Sequence, residues 1–168
     1  MPNKAAMTNQ QFEKIKEFLL DNKELFKQGK RAGPYAKLFL KLEKNKTDMH
    51  PLIGRCFPAS KFIQAIIGSD KVSLHMIPSK KLPFIEIDGE VYNTTHWFTK
   101  CKSTGTVYDP TLEQFIYDPY DKEFVKSLYD EAFTRDFGGK YHTDIHGNRI
   151  AIPSREVMGF VNKWNTAL

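Results

Sequence analysis

The sequence predicts an α+β domain on two observations. Apolar residues recur at helical spacing near both ends of the chain. The middle is broken into short runs of β-branched and aromatic residues separated by turn residues. The order is therefore helices, then sheet, then helices.

The first helix starts at Thr8, a capping residue with Gln11 three positions on, and carries Phe12, Ile15, Phe18 and Leu19 on one face, with Leu25 and Phe26 beyond. Gly29, Gly33 and Pro34 interrupt it, after which Tyr35, Leu38, Phe39 and Leu42 give a shorter second stripe. A third helix is predicted from Phe57 to Ile67, with Pro58 tolerated in its first turn and Gly68 closing it. Short strands follow over Lys71 to Ile77, Pro83 to Val91 (turning at Asp88-Gly89), Thr94 to Cys101 and Thr106 to Asp109, an antiparallel meander. Helical spacing returns over Asp121 to Phe133 and Ser154 to Trp164, separated by a Gly-, His- and Asp-rich loop from Arg135 to Asn148. The chain reads as one domain over 1–168: a helical cover (1–50), a core (51–118) and C-terminal helices (119–168).

At 168 residues, 40% of them hydrophobic, the chain is long enough to fold without a disulfide framework, and its two cysteines, Cys56 and Cys101, do not make one. No stretch approaches the ~20 apolar residues that span a bilayer, and the opening residues lack the apolar core of a signal peptide. A cytoplasmic protein without membrane contact is the expectation. The net charge of +5 sits entirely in residues 1–50, which hold 11 Lys+Arg against 6 Asp+Glu, while the remainder holds 14 of each. That segment suits an acidic partner. Nucleic acid is not expected, because neither a stacking motif nor a nucleic-acid module accompanies the charge.

The chemistry centres on Cys56, in Ile53-Gly54-Arg55-Cys56-Phe57-Pro58-Ala59-Ser60, just before the third helix. Helix N-termini present unpaired N–H groups and the positive end of the dipole, an environment that favours thiolates and can hold a developing oxyanion. His96 lies on a strand that turns at Lys102-Ser103-Thr104-Gly105. With those four residues as the loop, Cys101 faces Thr106, Lys100 faces Val107 and Phe98 faces Asp109. His96 and Asp109 then share a face as diagonal neighbours roughly 7–8 Å apart. A thiol, an imidazole to take its proton and a carboxylate to fix the tautomer are what a nucleophile–base–orienter triad needs. Cys101, five residues from His96 along the strand, falls on the opposite face and reads as packing; Trp97 also faces away.

Gly54-x-Cys56-Phe57-x-x-Ser60, His96-Trp97 and Asp109-Pro110-Thr111 together resemble the Cys-His-Asp core of the transglutaminase-like branch of the papain-like cysteine hydrolases. The run to Gln114-Phe115 is similar to small bacterial and phage proteins of that pattern. The resemblance spans roughly Gly54 to Phe115. It implies a papain-like core, with an antiparallel sheet and a nucleophile-bearing helix, and catalysis by Cys56, His96 and Asp109 on a protein, peptide or small amide without a cofactor. Papain-like proteases carry an oxyanion-donating Gln about six residues before the Cys; here that position is His50. The chain is also too short for the further β domains and calcium sites of animal transglutaminases. Hydrolysis, deamidation and acyl transfer all remain open, since each passes through a thioester. The alternative is a non-catalytic binding module of the same fold, holding an acidic partner or nucleic acid through its basic N-terminal helices.

Other candidates rank below these. His142 and His146 are four apart with Asp144 between them, yet they fall in the predicted loop without a second ligand pair at zinc spacing, so no metal is expected. His75 is the reserve base. Asp118, in a second Asp-Pro, lacks the hairpin argument that favours Asp109. Phe115-Ile116-Tyr117 is assigned a packing role beneath the site.

Overall fold

The computed structural model describes residues 4–26, 55–82, 85–87, 90–92, 95–115, 121–136, 141–147 and 149–167. Among these are four α-helices, α1 (Asn9–Asp21), α2 (Cys56–Ile67), α3 (Lys122–Ser127) and α4 (Arg155–Ala167). The strands are β1 (Val72–Ile77), β2 (Ile85–Ile87), β3 (Glu90–Tyr92), β4 (His96–Cys101), β5 (Val107–Tyr108), β6 (Phe133–Thr134), β7 (Tyr141–Thr143) and β8 (Arg149–Ala151). The α+β class predicted from the sequence is thus what the chain adopts.

Thr8 caps α1 reciprocally: its Oγ1 accepts from Gln11 N at 3.1 Å, and its own N donates to Gln11 Oε1 at 2.7 Å. The helix stops at Asp21, and Leu25 sits in a separate 3₁₀ turn. Cys56 is the first residue of α2 rather than the residue before it, with Arg55 as the N-cap. Gly68 ends α2 at a φ of 116°, a conformation that side-chain-bearing residues rarely adopt, and lets the chain turn directly into β1.

The main sheet is antiparallel in the order β5-β4-β1-β6. This corrects the predicted meander: β2 and β3 form their own two-stranded sheet, and β4 pairs with β1 from Val72↔Cys101 to Ile77↔His96. The fourth strand comes from the C-terminal part of the chain. The predicted helix from Asp121 to Phe133 is instead α3, a 3₁₀ turn (Tyr129–Glu131) and β6, which joins the edge of β1 through Met76↔Phe133 and His75↔Thr134. Two exposed aromatic and β-branched residues suit a short edge strand better than a further helical turn. The predicted loop over 135–148 contains β7, which pairs with β8 around a turn with Gly147 at a φ of 81°. The expected helix at Tyr35 to Leu42, the Asp88-Gly89 turn, His50 and Asp118 lie outside the described residues, as does most of the basic segment 1–50.

Two apolar clusters flank the sheet. On one face Val72 and Cys101 meet α1, α2 and α4, where Phe18 stacks on Phe62 at 5.5 Å and Phe26 meets Phe160 at 4.5 Å. On the other, Ile77 and Phe98 pack with Leu82, Val125 and Leu128. The parity of β1 and β4 separates the two sets. Among the described residues no helix is long and apolar enough to cross a membrane.

Candidate active site

The β4–β5 hairpin has the register predicted from the sequence, with Thr99↔Tyr108 and Lys100↔Val107 paired and Cys101 N donating to Thr106 O at 2.8 Å. Gly105, at a φ of 75°, closes the four-residue loop with a hydrogen bond from its N to Cys101 O. This register brings Asp109, just past β5, to the face that bears His96. The imidazole Nε2 and Asp109 Oδ2 are 2.7 Å apart, with His96 fully buried and Asp109 nearly so. An ionised carboxylate can only accept, so Nε2 carries the proton and Nδ1 is left for other work. Nδ1 is buried and has no hydrogen-bond partner among the described residues.

Cys56 approaches from the other element. By parity His96 shares its face with Phe98, whereas α2 packs against the opposite face. Because His96 is the first residue of β4 and Cys56 the first of α2, the two meet where both elements begin. Cys56 Sγ donates to Thr95 O at 3.9 Å. At this position the Cys56 amide belongs to the first turn, which has no intrahelical acceptors.

Burial alone would disfavour a charged His96. The Asp109 carboxylate, by charge and hydrogen bond, and then the nearby Cys56 sulfur outweigh that cost and raise the imidazole from 6.5 to about 10. At neutral pH His96 is therefore an imidazolium, held between a carboxylate and a sulfur. Phe115 closes the ring edge-on at 4.8 Å and Phe98 stacks 6.2 Å away, so that the pair is enclosed by aromatic surface. Trp97 points to the α2 side, where it meets Phe57 at 4.7 Å.

One contact was not foreseen from the sequence. Tyr129 donates its hydroxyl to Asp109 Oδ2 at 2.7 Å. Burial and the Asp109 charge push this phenol upward, so it stays protonated. Nothing in the sequence flags Tyr129, because helical periodicity assigns it to a core stripe and the contact spans twenty positions.

The remaining candidates fall elsewhere. His75 bonds Ser73 Oγ through Nε2 at 2.7 Å and stacks on Phe98 at 5.6 Å, the ring that His96 also stacks on. Burial and then the Lys100 charge lower its pKa, keeping it neutral. Cys101 lies in the core, with Ser103 Oγ 3.3 Å away. His142 is exposed on β7 and His146 in the turn that follows. Among the described residues no three His, Cys, Asp or Glu side chains gather as metal ligands would.

Comparison of the chain with protein-family models, with curated proteins and with solved structures finds no match in any of the three.

Proposed function

We propose that the chain is a cysteine-dependent hydrolase or acyltransferase with a papain-like, transglutaminase-like core, acting on an amide or peptide bond through a thioester. The observation that carries the reading is the 2.7 Å contact between His96 Nε2 and Asp109 Oδ2, in a buried site whose imidazole is also charged up by Cys56. A carboxylate bonded at Nε2 leaves Nδ1 as the proton-transfer atom.

In this reaction the Cys56 thiol passes its proton to His96 Nδ1 and attacks the carbonyl carbon as the thiolate; the C–S bond forms and the carbonyl electrons move to oxygen. The Cys56 amide at the head of α2 is available to that oxyanion. As the tetrahedral species collapses, the C–N bond breaks and the leaving amine takes the proton from His96 Nδ1. Water, or an acceptor amine, then attacks the thioester while neutral His96 accepts its proton. The C–S bond breaks, and the acid or new amide departs. Asp109 stays ionised throughout and holds the ring by its Nε2–H. The substrate is a protein, a peptide or a small amide, and the sequence of steps needs no cofactor.

The test is iodoacetamide labelling of Cys56 between pH 5 and 9, read by peptide mass spectrometry in wild type and in His96→Ala. Labelling at pH 6 that slows by about tenfold or more in the variant supports the reading. An unchanged rate removes its main support.

A further inference from the structure

We propose that Tyr129 is a positioning residue of this site: its hydroxyl fixes the Asp109 carboxylate that in turn orients His96. The proposal deepens the Cys-His-Asp reading and rests on it for its catalytic consequence, although the Tyr129–Asp109–His96 chain is tested separately below.

The geometry is specific. Asp109 Oδ2 receives both donors, His96 Nε2 at 2.7 Å and Tyr129 Oη at 2.7 Å. Oδ1 of the same carboxylate is buried with no partner among the described residues. A carboxylate held by His96 alone could rotate about its Cβ–Cγ bond and exchange its two oxygens. A second donor on the same oxygen, arriving from another segment, removes that freedom. It also shares the charge of the carboxylate with the phenol, in a place without water-like solvation.

Tyr129 is itself held on several sides. Its ring lies 4.6 Å from Phe98, the residue that stacks on His96. Its carbonyl accepts from Lys100 Nζ at 3.4 Å and from Ala132 N at 3.3 Å. The end of α3 at Ser127 and the 3₁₀ turn that follows put the residue in this position. The C-terminal segment thus contributes a side chain to the site rather than only closing the fold.

The experiment has two readouts. The first is the His96 Nε2–H resonance by ¹⁵N-edited NMR in full-length protein. Tyr129→Phe removes one donor from Oδ2 and makes it the stronger acceptor for His96, so the resonance moves downfield. Global 3-fluorotyrosine labelling keeps the shape of the side chain but makes the phenol a better donor, so the resonance moves upfield; this arm serves even if Tyr129→Phe folds poorly. Resonances that stay put in a folded variant and in the fluorinated protein overturn the proposal. The second readout is Cys56 alkylation at pH 6 in Tyr129→Phe, in Asp109→Ala, which leaves Tyr129 without its acceptor, and in the double variant. Tyr129→Phe slows labelling severalfold, and the double variant is no slower than Asp109→Ala alone, because Tyr129 acts only through Asp109. Losses that multiply mark a merely structural effect and overturn it. If His96→Ala leaves alkylation unchanged, the catalytic reading fails, while the NMR arm still decides whether Tyr129 controls the pair.

Discussion

Cys56 and Thr95 are joined by the thiol's contact with the Thr95 carbonyl at 3.9 Å, one residue ahead of His96. One turn along α2, Ser60 Oγ donates to Trp97 O at 3.2 Å. Residues 56 and 60 are about 6 Å apart along a helix, and carbonyls 95 and 97 about 6.6 Å apart along a strand. The near match lets α2 lie on the first residues of β4 with two contacts in register, and this seating brings the sulfur to the imidazole.

Ser60→Ala therefore tests the seating. Ser60 is fully buried, and its removal leaves the Trp97 carbonyl without that donor. The expected cost is about 1–3 kcal/mol in urea unfolding, together with slower Cys56 alkylation at pH 6. A variant that loses stability yet labels at the wild-type rate would show that the contact holds the helix without setting the sulfur.

The charged state of His96 makes stability depend on alkaline pH. Its folded value, about 10, lies above the unfolded value of 6.5. The stabilisation is complete below pH 6.5, declines as pH rises from there, and is gone above about 10. The difference in urea-unfolding free energy between wild type and His96→Ala, in which the opposite contribution of the lowered Cys101 thiol cancels, should shrink steadily from pH 6.5 to 10. Parallel slopes in the two proteins would contradict the assignment.

Cys101 provides an internal comparison. Burial opposes its ionisation, but hydrogen bonds from Ser103 and Thr104 bring the thiol down from 9.0 to about 6. Only 2% of the residue is exposed. An ionised but covered sulfur should resist iodoacetamide in the native protein and label rapidly in urea. Peptide mass spectrometry resolves the two cysteines, and native labelling of Cys101 as fast as Cys56 would refute this.

Phe160 joins the helices on the first face of the sheet, meeting Phe26 at 4.5 Å, Phe62 at 5.8 Å and Phe18 at 6.4 Å while fully buried. Phe160→Ala is expected to cost about 3–5 kcal/mol. Chemical denaturation checks the magnitude, and a loss below about 1 kcal/mol would mean that α4 contributes little to the core.

What the sequence made legible follows from the range of each interaction. The α1 cap, the end of α2 at Gly68 and the β4–β5 register are local, each set by residues within a few positions, and all could be read directly. The register in turn put Asp109 on the His96 face. The pairing of β1 with β4 and β6, and the contact of Tyr129 with Asp109, depend on segments twenty to sixty residues apart. Periodicity also carried a helix through Tyr129, because Phe124, Leu128 and Phe133 do recur at helical spacing. The pairing of Phe133 with Met76 overrides that local preference.

Asp109 separates the effect of charge from that of a hydrogen bond. Asn at this position keeps an oxygen for His96 Nε2 but removes the charge, whereas Ala removes both and strips Tyr129 of its acceptor. Breaking a buried charged pair by deleting one partner costs about 3–5 kcal/mol, so Asp109→Ala should be markedly destabilised, with Asp109→Asn less affected. Both lose the leading influence that charges His96, and burial then lowers its pKa. The contribution of His96 to the pH dependence of stability between 6.5 and 10 should disappear in both. For Cys56 alkylation at pH 6, the common loss of charge predicts a similar slowing in the two variants, about tenfold or more. If Asp109→Asn instead labels like wild type while Asp109→Ala does not, ring orientation and not charge is what Asp109 supplies to His96.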